Sequence, residues 1–354
     1  MIADETRDRP EREVPTMNER QKHYKRAIGR TPLSWVTAAM VIVLMLCLQG
    51  GGCDSKPREG TFAIGVNQFM QHPVADEVAK GILDELKDQG ITAANGHKVM
   101  VKNANGEFAV AVQINKLFVA DKVDVIIPIA TPAAQSACKE TATIPVVFAA
   151  ITDPVKAGIA DSLEHPGKNR TGTSNRWPFE RQIGLIKQIV PKAVSVGMVI
   201  NPSEGNTEAA LSYIRPALHN AGLKAVEVPV ASSSEVLNAA KSLVGRCDVF
   251  FVPPDNTLQS GFDALVKVAR ENKIAIIGGT DDLVKKGSLA SYAPNHYRLG
   301  RATAKMALEI LRGHKDPGSM PVVMDNDAPL VINEVEAEKI GVSIPEELRS
   351  AANR

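Results

Sequence analysis

Apolar runs and helical periodicities alternate along this chain, and the alternation starts over halfway. The first series reads "TFAIGVNQF", a helix near 74–89, "HKVMVKNAN", a helix near 108–120, "VDVIIPIA", a short helix and "IPVVFAAI". The second reads "SVGMVI", a helix near 204–221, "KAVEVPV", a helix near 233–244, "CDVFFVP", a helix near 257–272 and "IAIIGG". Strands that are apolar on both faces and separated by helices pair in parallel, with the helices covering the sheet. The pattern therefore predicts an α/β chain of two doubly wound parallel-sheet lobes. Each lobe would place its ligand-facing loops at the carboxyl ends of its strands.

One stretch shows the duplication residue by residue. "KLFVADKVDVIIPIATPA" lies over "KSLVGRCDVFFVPPDNT" with one extra residue, so Asp124 matches Asp248 and Thr131 matches Asp255. In the first copy Thr131 suits a helix N-cap and Pro132 the first helical position. The backbone donors that follow, from Ala133 on, have no partner within the helix. A helix start carries partial positive charge, so a carboxylate suits that corner. In the second copy Asp255 either faces the same cleft or simply caps its own helix.

The N-terminus has a different character. Lys22, Lys25, Arg26 and Arg30 precede the apolar "WVTAAMVIVLMLCL", which is followed by "QGGGCDS". A basic region, a short apolar core and small residues form a signal-peptide layout, expected over 1–53, with a linker at 54–60. The apolar core is shorter than the roughly 20 residues that span a bilayer. Gly51-Gly52-Cys53 resembles the end of a bacterial lipobox, in which the cysteine is lipidated; Gly50 departs from the usual aliphatic and leaves plain cleavage open. Asp54 resembles an inner-membrane retention signal, and Met17 offers a second start. Of four cysteines, Cys47 falls in the apolar core, leaving Cys138 and Cys247, in different lobes, as buried small residues. The 41 basic and 40 acidic side chains give a net charge of +1, which signals no nucleic-acid face. Neither a metal cluster nor a cofactor motif is present in the sequence, and no GxSxG, HExxH or GxxxxGK[ST] pattern suggests an enzyme.

The blocks "NQFMQHPVADEVAKGI", "VDVIIPIATPAAQSA", "IPVVFAAITDPVKAGI", "PGKNRTGTSN", "VINPSEGNTEA", "SLVGRCDVFFVPPDNT" and "LVINEVEAEKIGVSIP" occur in order from Thr61 to about Ser343. In them the chain resembles the substrate-binding lipoproteins of ABC importers, a type I periplasmic binding protein family that includes tryptophan and tyrosine receptors. The resemblance implies two lobes joined by three crossovers, near 171–175, 291–295 and 322–325. The N-terminal lobe would comprise 61–174 and 295–320, and the C-terminal lobe 175–294 and 321–354.

The resemblance also implies a ligand site. Asn67, Gln68, Phe69 and His72 would form one wall, with Phe69 as the apolar or stacking surface; His72 either contacts ligand or caps a helix. Thr131, Pro132 and Ala133 would receive a ligand carboxylate. Asp153 either neutralises an ammonium or caps the turn at Val155. Asn175, Asn206, Asp255, Asn256 and Asp281 would come from the other lobe, while Trp177 and Tyr292 either stack on a ligand ring or pack the hinge. A ligand held between such walls is a zwitterion, and an amino acid, aromatic by the family, is the simplest. The implied partners are an ABC permease and, through it, an ATPase, with the protein exported, monomeric and anchored through Cys53. The alternative is a receptor for a sensor or chemotaxis system without transport. A DNA-binding regulator of this fold would need a helix-turn-helix where this chain has an export signal.

Overall fold

A computed structural model describes residues 60–313, 315–325 and 327–352. The signal segment, Cys53 and all of the 54–60 linker except Gly60 lie outside them. Two six-stranded sheets organise the described chain. The first is built from β1 (Ala63–Gln68), β2 (Lys98–Asn103), β3 (Val125–Ile129), β4 (Val146–Ile151), β5 (Arg170–Ser174) and β11 (Val323–Met324). The second is built from β6 (Ser195–Ile200), β7 (Lys224–Pro229), β8 (Val249–Val252), β9 (Ala275–Gly278), β10 (Ala290–Tyr292) and β12 (Leu330–Ile332). Their orders, β11-β5-β4-β3-β1-β2 and β12-β10-β9-β8-β6-β7, are the same pattern twice. All pairings are parallel except β10 with β12.

The repeat extends to side chains. Asp124, just before β3, accepts from the Ala63 N–H at the start of β1 (2.8 Å). Asp248, just before β8, accepts from the Ser195 N–H at the start of β6 (2.8 Å). Each aspartate thus fixes the neighbouring strand's first residue against its own. The central strands β3, β4, β8 and β9 are buried along their whole length, as runs without a charged or polar side chain require once helices cover both faces.

The chain crosses between lobes after Ser174, between Tyr292 and His296, and between Met324 and Leu330. The first crossover is therefore shorter than expected, and one lobe boundary moves. The 171–175 segment is mostly strand β5, because alternating small and polar residues there pair with β4. Residues 321–324 stay with the first lobe, because Val323 and Met324 pair with Thr173 and Ser174. Helix His296–Leu311 returns to the first lobe and packs on helix Pro73–Asp88. Their crossing is close: a Cβ on Gly81 would collide with the Tyr297 carbonyl, and one on Gly300 with that of Val78. Each lobe has its own apolar core, around Ile64, Ile82 and Ile127 in the first and around Leu185, Ile214 and Phe251 in the second. Cys138 and Cys247 are free thiols, and burial pushes both up to about 11. Among the described residues no helix is long and apolar enough to cross a membrane.

Candidate functional site

The carboxyl ends of both parallel sheets meet in a cleft with about 370 Å3 of space, part of it continuous with solvent. From the first lobe come His72, Val74, Ala75, Val78, Ile129, Ala130, Thr131, Ala150 and Thr152. Asn175 lines it from the first crossover, and Asn206, Pro254, Asn256 and Gln259 from the second lobe. Two lining residues carry unusual backbone: Ala130 at φ 75° and Ala150 at φ 55° are non-glycine residues in the left-handed region. Such conformations cost of order 1–3 kcal/mol and persist where the surroundings enforce them.

The helix start at Thr131 is open. Ala130 is its N-cap and makes no side-chain capping bond; Thr131 and Pro132 occupy the first two helical positions, so Thr131 is one place further in than the sequence suggests. Thr131 Oγ1 is buried without a hydrogen-bond partner, as are Asn175 Oδ1 and Gln259 Oε1. Unpaired buried polar atoms are uncommon because each forfeits its hydration. Three of them belong to residues that line this cleft.

The matching corner of the second lobe is already filled. Asp255 caps helix Asn256–Ser260 by accepting from the Leu258 N–H (2.8 Å), and it also accepts from the Asn201 N–H (2.6 Å) and the Thr207 hydroxyl (2.8 Å). Glu204 accepts from the backbone N–H groups of Asn256 and Thr257 at 3.0 Å each. Its Oε2 also holds the side-chain amides of Asn206 (3.0 Å) and Asn256 (2.5 Å). Burial, and then the neighbouring Glu204, push the Asp255 carboxyl up. Glu204 was missed in the sequence, where "NPSEGN" shows it only as an acidic residue before a helix.

Other candidates sit apart from the lining. Asn67 turns away, donating to the Ala111 carbonyl and Asn115 Oδ1 (both 3.0 Å), because alternate residues of β1 face opposite sides. Gln68 bonds Asp76 (2.7 Å). Phe69 and Ala133 pack in the core beneath helix Phe108–Ala120, so no aromatic carbon ring comes from that wall. Asp153 caps its own turn, accepting from the N–H groups of Val155 (3.1 Å) and Lys156 (3.0 Å), and its other oxygen accepts from the Tyr213 hydroxyl (2.7 Å). Asp281 pairs with Lys285 (3.0 Å). Trp177 is buried in the second lobe's core, and Tyr292 carries Arg181 over its ring at 3.8 Å.

His72 does two things. Its Nδ1 accepts from the Ala75 N–H, so Nε2 carries the proton and donates across the cleft to Asn256 Oδ1 (3.1 Å). Burial holds this imidazole below its ordinary range, and Glu204 and Asp76 oppose that shift. Other bonds between lobes are Asp153 to Tyr213 and Lys156 to Ser212 (2.5 Å). Glu77 and the pair Asp281 and Asp282 face each other as like charges, and burial followed by those two carboxylates pushes Glu77 up to about 7.

Residues 63–354 match the family model described as ABC transporter substrate binding protein. A "Tyrosine-binding protein" of Clostridioides difficile strain R20291 is 36% identical over 313 residues, covering 85% of this chain and 90% of that protein. A Streptococcus pneumonia ABC domain in complex with L-Trp is 33% identical and superposes with a TM-score of 0.79, over 83% of this chain and 99% of that one. The ligand-free, open structure of a Clostridium difficile substrate binding protein with adhesive properties is 34% identical, over 81% and 97%, but reaches only 0.61.

Proposed function

The chain belongs to the ABC transporter substrate binding protein family, and from that premise we propose that it captures an amino acid with an apolar, preferably aromatic, side chain and hands it to an ABC permease. The observation that carries the reading is the lining of the cleft. Among the described residues no lysine, arginine, aspartate or glutamate lines it, and His72 is held neutral, yet it contains buried polar atoms that lack partners. Enclosing a ligand of net charge against such walls would strand that charge, whereas a zwitterion brings its own balance. Its carboxylate belongs at the open start of helix Thr131–Glu140, beside the Thr131 hydroxyl and the free N–H groups. Val74, Ala75, Val78, Ile129 and Pro254 provide the apolar surface for its side chain. The tyrosine-binding relative and the tryptophan complex support this class of ligand.

Binding and closure are one process in this reading. The ligand bridges the lobes, the crossovers bend, and the closed form is what a permease recognises before its ATPase supplies the work. The protein acts outside the cytoplasm as a monomer, held to the membrane by lipid on Cys53. Mass spectrometry of small molecules released on denaturing gently purified protein should find an amino acid in near-stoichiometric amount, and calorimetry with L-tryptophan or L-tyrosine should give saturable heat. Release of a sugar or nucleoside, with no heat from any common amino acid, refutes the proposal.

A further inference from the structure

We propose that the ligand's ammonium is held by the neutral amide oxygens of Gln259 and Asn175, with the opposing charge supplied from behind the wall by Glu204 and Asp255. This rests on the amino-acid reading of the cleft. The carboxylate that the sequence offered for the task is engaged elsewhere: both oxygens of Asp153 have partners, and the residue lies outside the lining. Two amide oxygens remain. Gln259 is 6% exposed and Asn175 7%, and Gln259 Oε1 and Asn175 Oδ1 are buried without partners. Asn175 has already committed its amide nitrogen to His296 (3.3 Å), which leaves the oxygen as its free pole.

The charge is nearby. Glu204 and Asp255 are buried, and their partners are N–H and O–H groups; among the described residues no lysine or arginine forms an ion pair with either. Asn206 and Asn256 line the cleft and also touch Glu204, so its carboxylate stands one side chain behind the wall. In a medium of low dielectric an uncompensated carboxylate acts strongly on a cation over that distance. The opposite wall is the open helix start with its partial positive charge. The cleft is therefore dipolar, positive on the first lobe and negative on the second, and a zwitterion has one favourable orientation in it.

The test compares L-tryptophan with indolepropanoate, which keeps the ring and carboxylate and lacks the amine, by direct and competition calorimetry on the purified protein. The wild type should prefer L-tryptophan at least tenfold. Gln259→Leu should weaken L-tryptophan by about 10- to 150-fold, the range for a lost hydrogen bond to a charged group, while leaving indolepropanoate within about threefold. Gln259→Glu is the second variant: it should retain L-tryptophan and lose indolepropanoate. Binding of L-tryptophan, and not of indolepropanoate, should also release a fraction of a proton near neutral pH, because an arriving cation lowers the raised Asp255 carboxyl. Equal losses for both ligands in Gln259→Leu would overturn the inference and leave the amino-acid reading standing. A wild-type protein that binds neither L-tryptophan nor L-tyrosine would overturn the reading beneath it.

Discussion

Tyr213→Phe removes a single hydroxyl, and the structure gives that hydroxyl one principal task. It donates to Asp153 Oδ2 at 2.7 Å, joining helix Gly205–Asn220 of the second lobe to the loop after β4 in the first. Asp153 keeps its two backbone donors in the variant, since both belong to its own turn. The ring keeps its stack on Phe179 (centroids 5.7 Å apart, planes at 8°) and the Lys156 ammonium over its face at 3.4 Å. The bonds lost are this one between the lobes and a longer one, 3.5 Å, that Arg176 Nη1 donates to the same hydroxyl. A hydrogen bond to a charged partner contributes about 1.5–3 kcal/mol, and the lower end applies here because Tyr213 is partly exposed and Arg176 remains 3.9 Å from the same oxygen. About 1.5 kcal/mol taken from the closed form alone lowers its population roughly tenfold, and affinity falls with it. Calorimetric titration with L-tryptophan should read that tenfold loss. Ligand-free thermal stability should change by no more than about 0.5 kcal/mol, and the saturated variant should still contract in small-angle scattering. Unchanged affinity would refute the clasp. A lower melting temperature with unchanged affinity would make Tyr213 a scaffold residue. If Asp153 instead met the ligand's ammonium, Asp153→Asn would weaken L-tryptophan far more than Tyr213→Phe; a clasp makes the two losses similar and non-additive.

Closure should also depend on pH in both directions. Glu77 is pushed up to about 7 by burial and by Asp282 and Asp281 across the lobes, so its closed form favours the proton and its contribution to affinity should fall as pH rises from about 4.5 to about 7; Glu77→Gln should abolish that loss. His72 has the opposite sign: burial lowers it, the closed form needs it neutral, and affinity should fall below about pH 6.5, a limb that His72→Gln should flatten. Gly300→Leu should cost about 1–3 kcal/mol or more in urea unfolding, because the Val78 carbonyl occupies the space a side chain would need. Cys53→Ser should move the protein from membranes to the soluble exported fraction; unchanged retention and no labelling by a fatty-acid probe would refute lipid anchoring.

Much of the architecture was legible because it is written in long-period patterns. Buried parallel strands need unbroken apolar runs, and the runs around "VIIPI" and "VFFV" mark β3 and β8 in equivalent positions. The cleft was legible at His72, Thr131, Asn175, Asn206 and Asn256, all of which line it. The misreadings share a cause: a residue at a strand end has several directions open to it, and its neighbours in space decide among them. Asn67 and Gln68 follow one another in β1, so they leave the sheet on opposite faces, and neither lines the cleft. "TDP" carried a turn-capping signal in Asp153-Pro154, and the local bond won. Gln259 had a usable signal, since it stands three residues after Asn256 and so shares that residue's face of the helix.

The two halves of the repeat explain why this cleft has polarity at all. Duplicated lobes that faced each other unchanged would present two positive helix starts to one ligand, which suits a dianion and repels an ammonium. Here the second copy has replaced the threonine with Asp255 and brought Glu204 over the backbone donors of Asn256 and Thr257. The N–H groups that would have recognised an anion are consumed, and the carboxylates that consume them have no cationic partner among the described residues. The first copy stayed open at Thr131. Swapping these features should reverse the cleft's preference. Glu204→Gln leaves the side chain able to accept from Thr257 while removing its charge, and the selectivity for L-tryptophan over indolepropanoate should shrink even where the fold is retained. Selectivity unchanged by Glu204→Gln in a folded variant would mean that the amide oxygens alone hold the ammonium, and that the buried acid pair serves the scaffold.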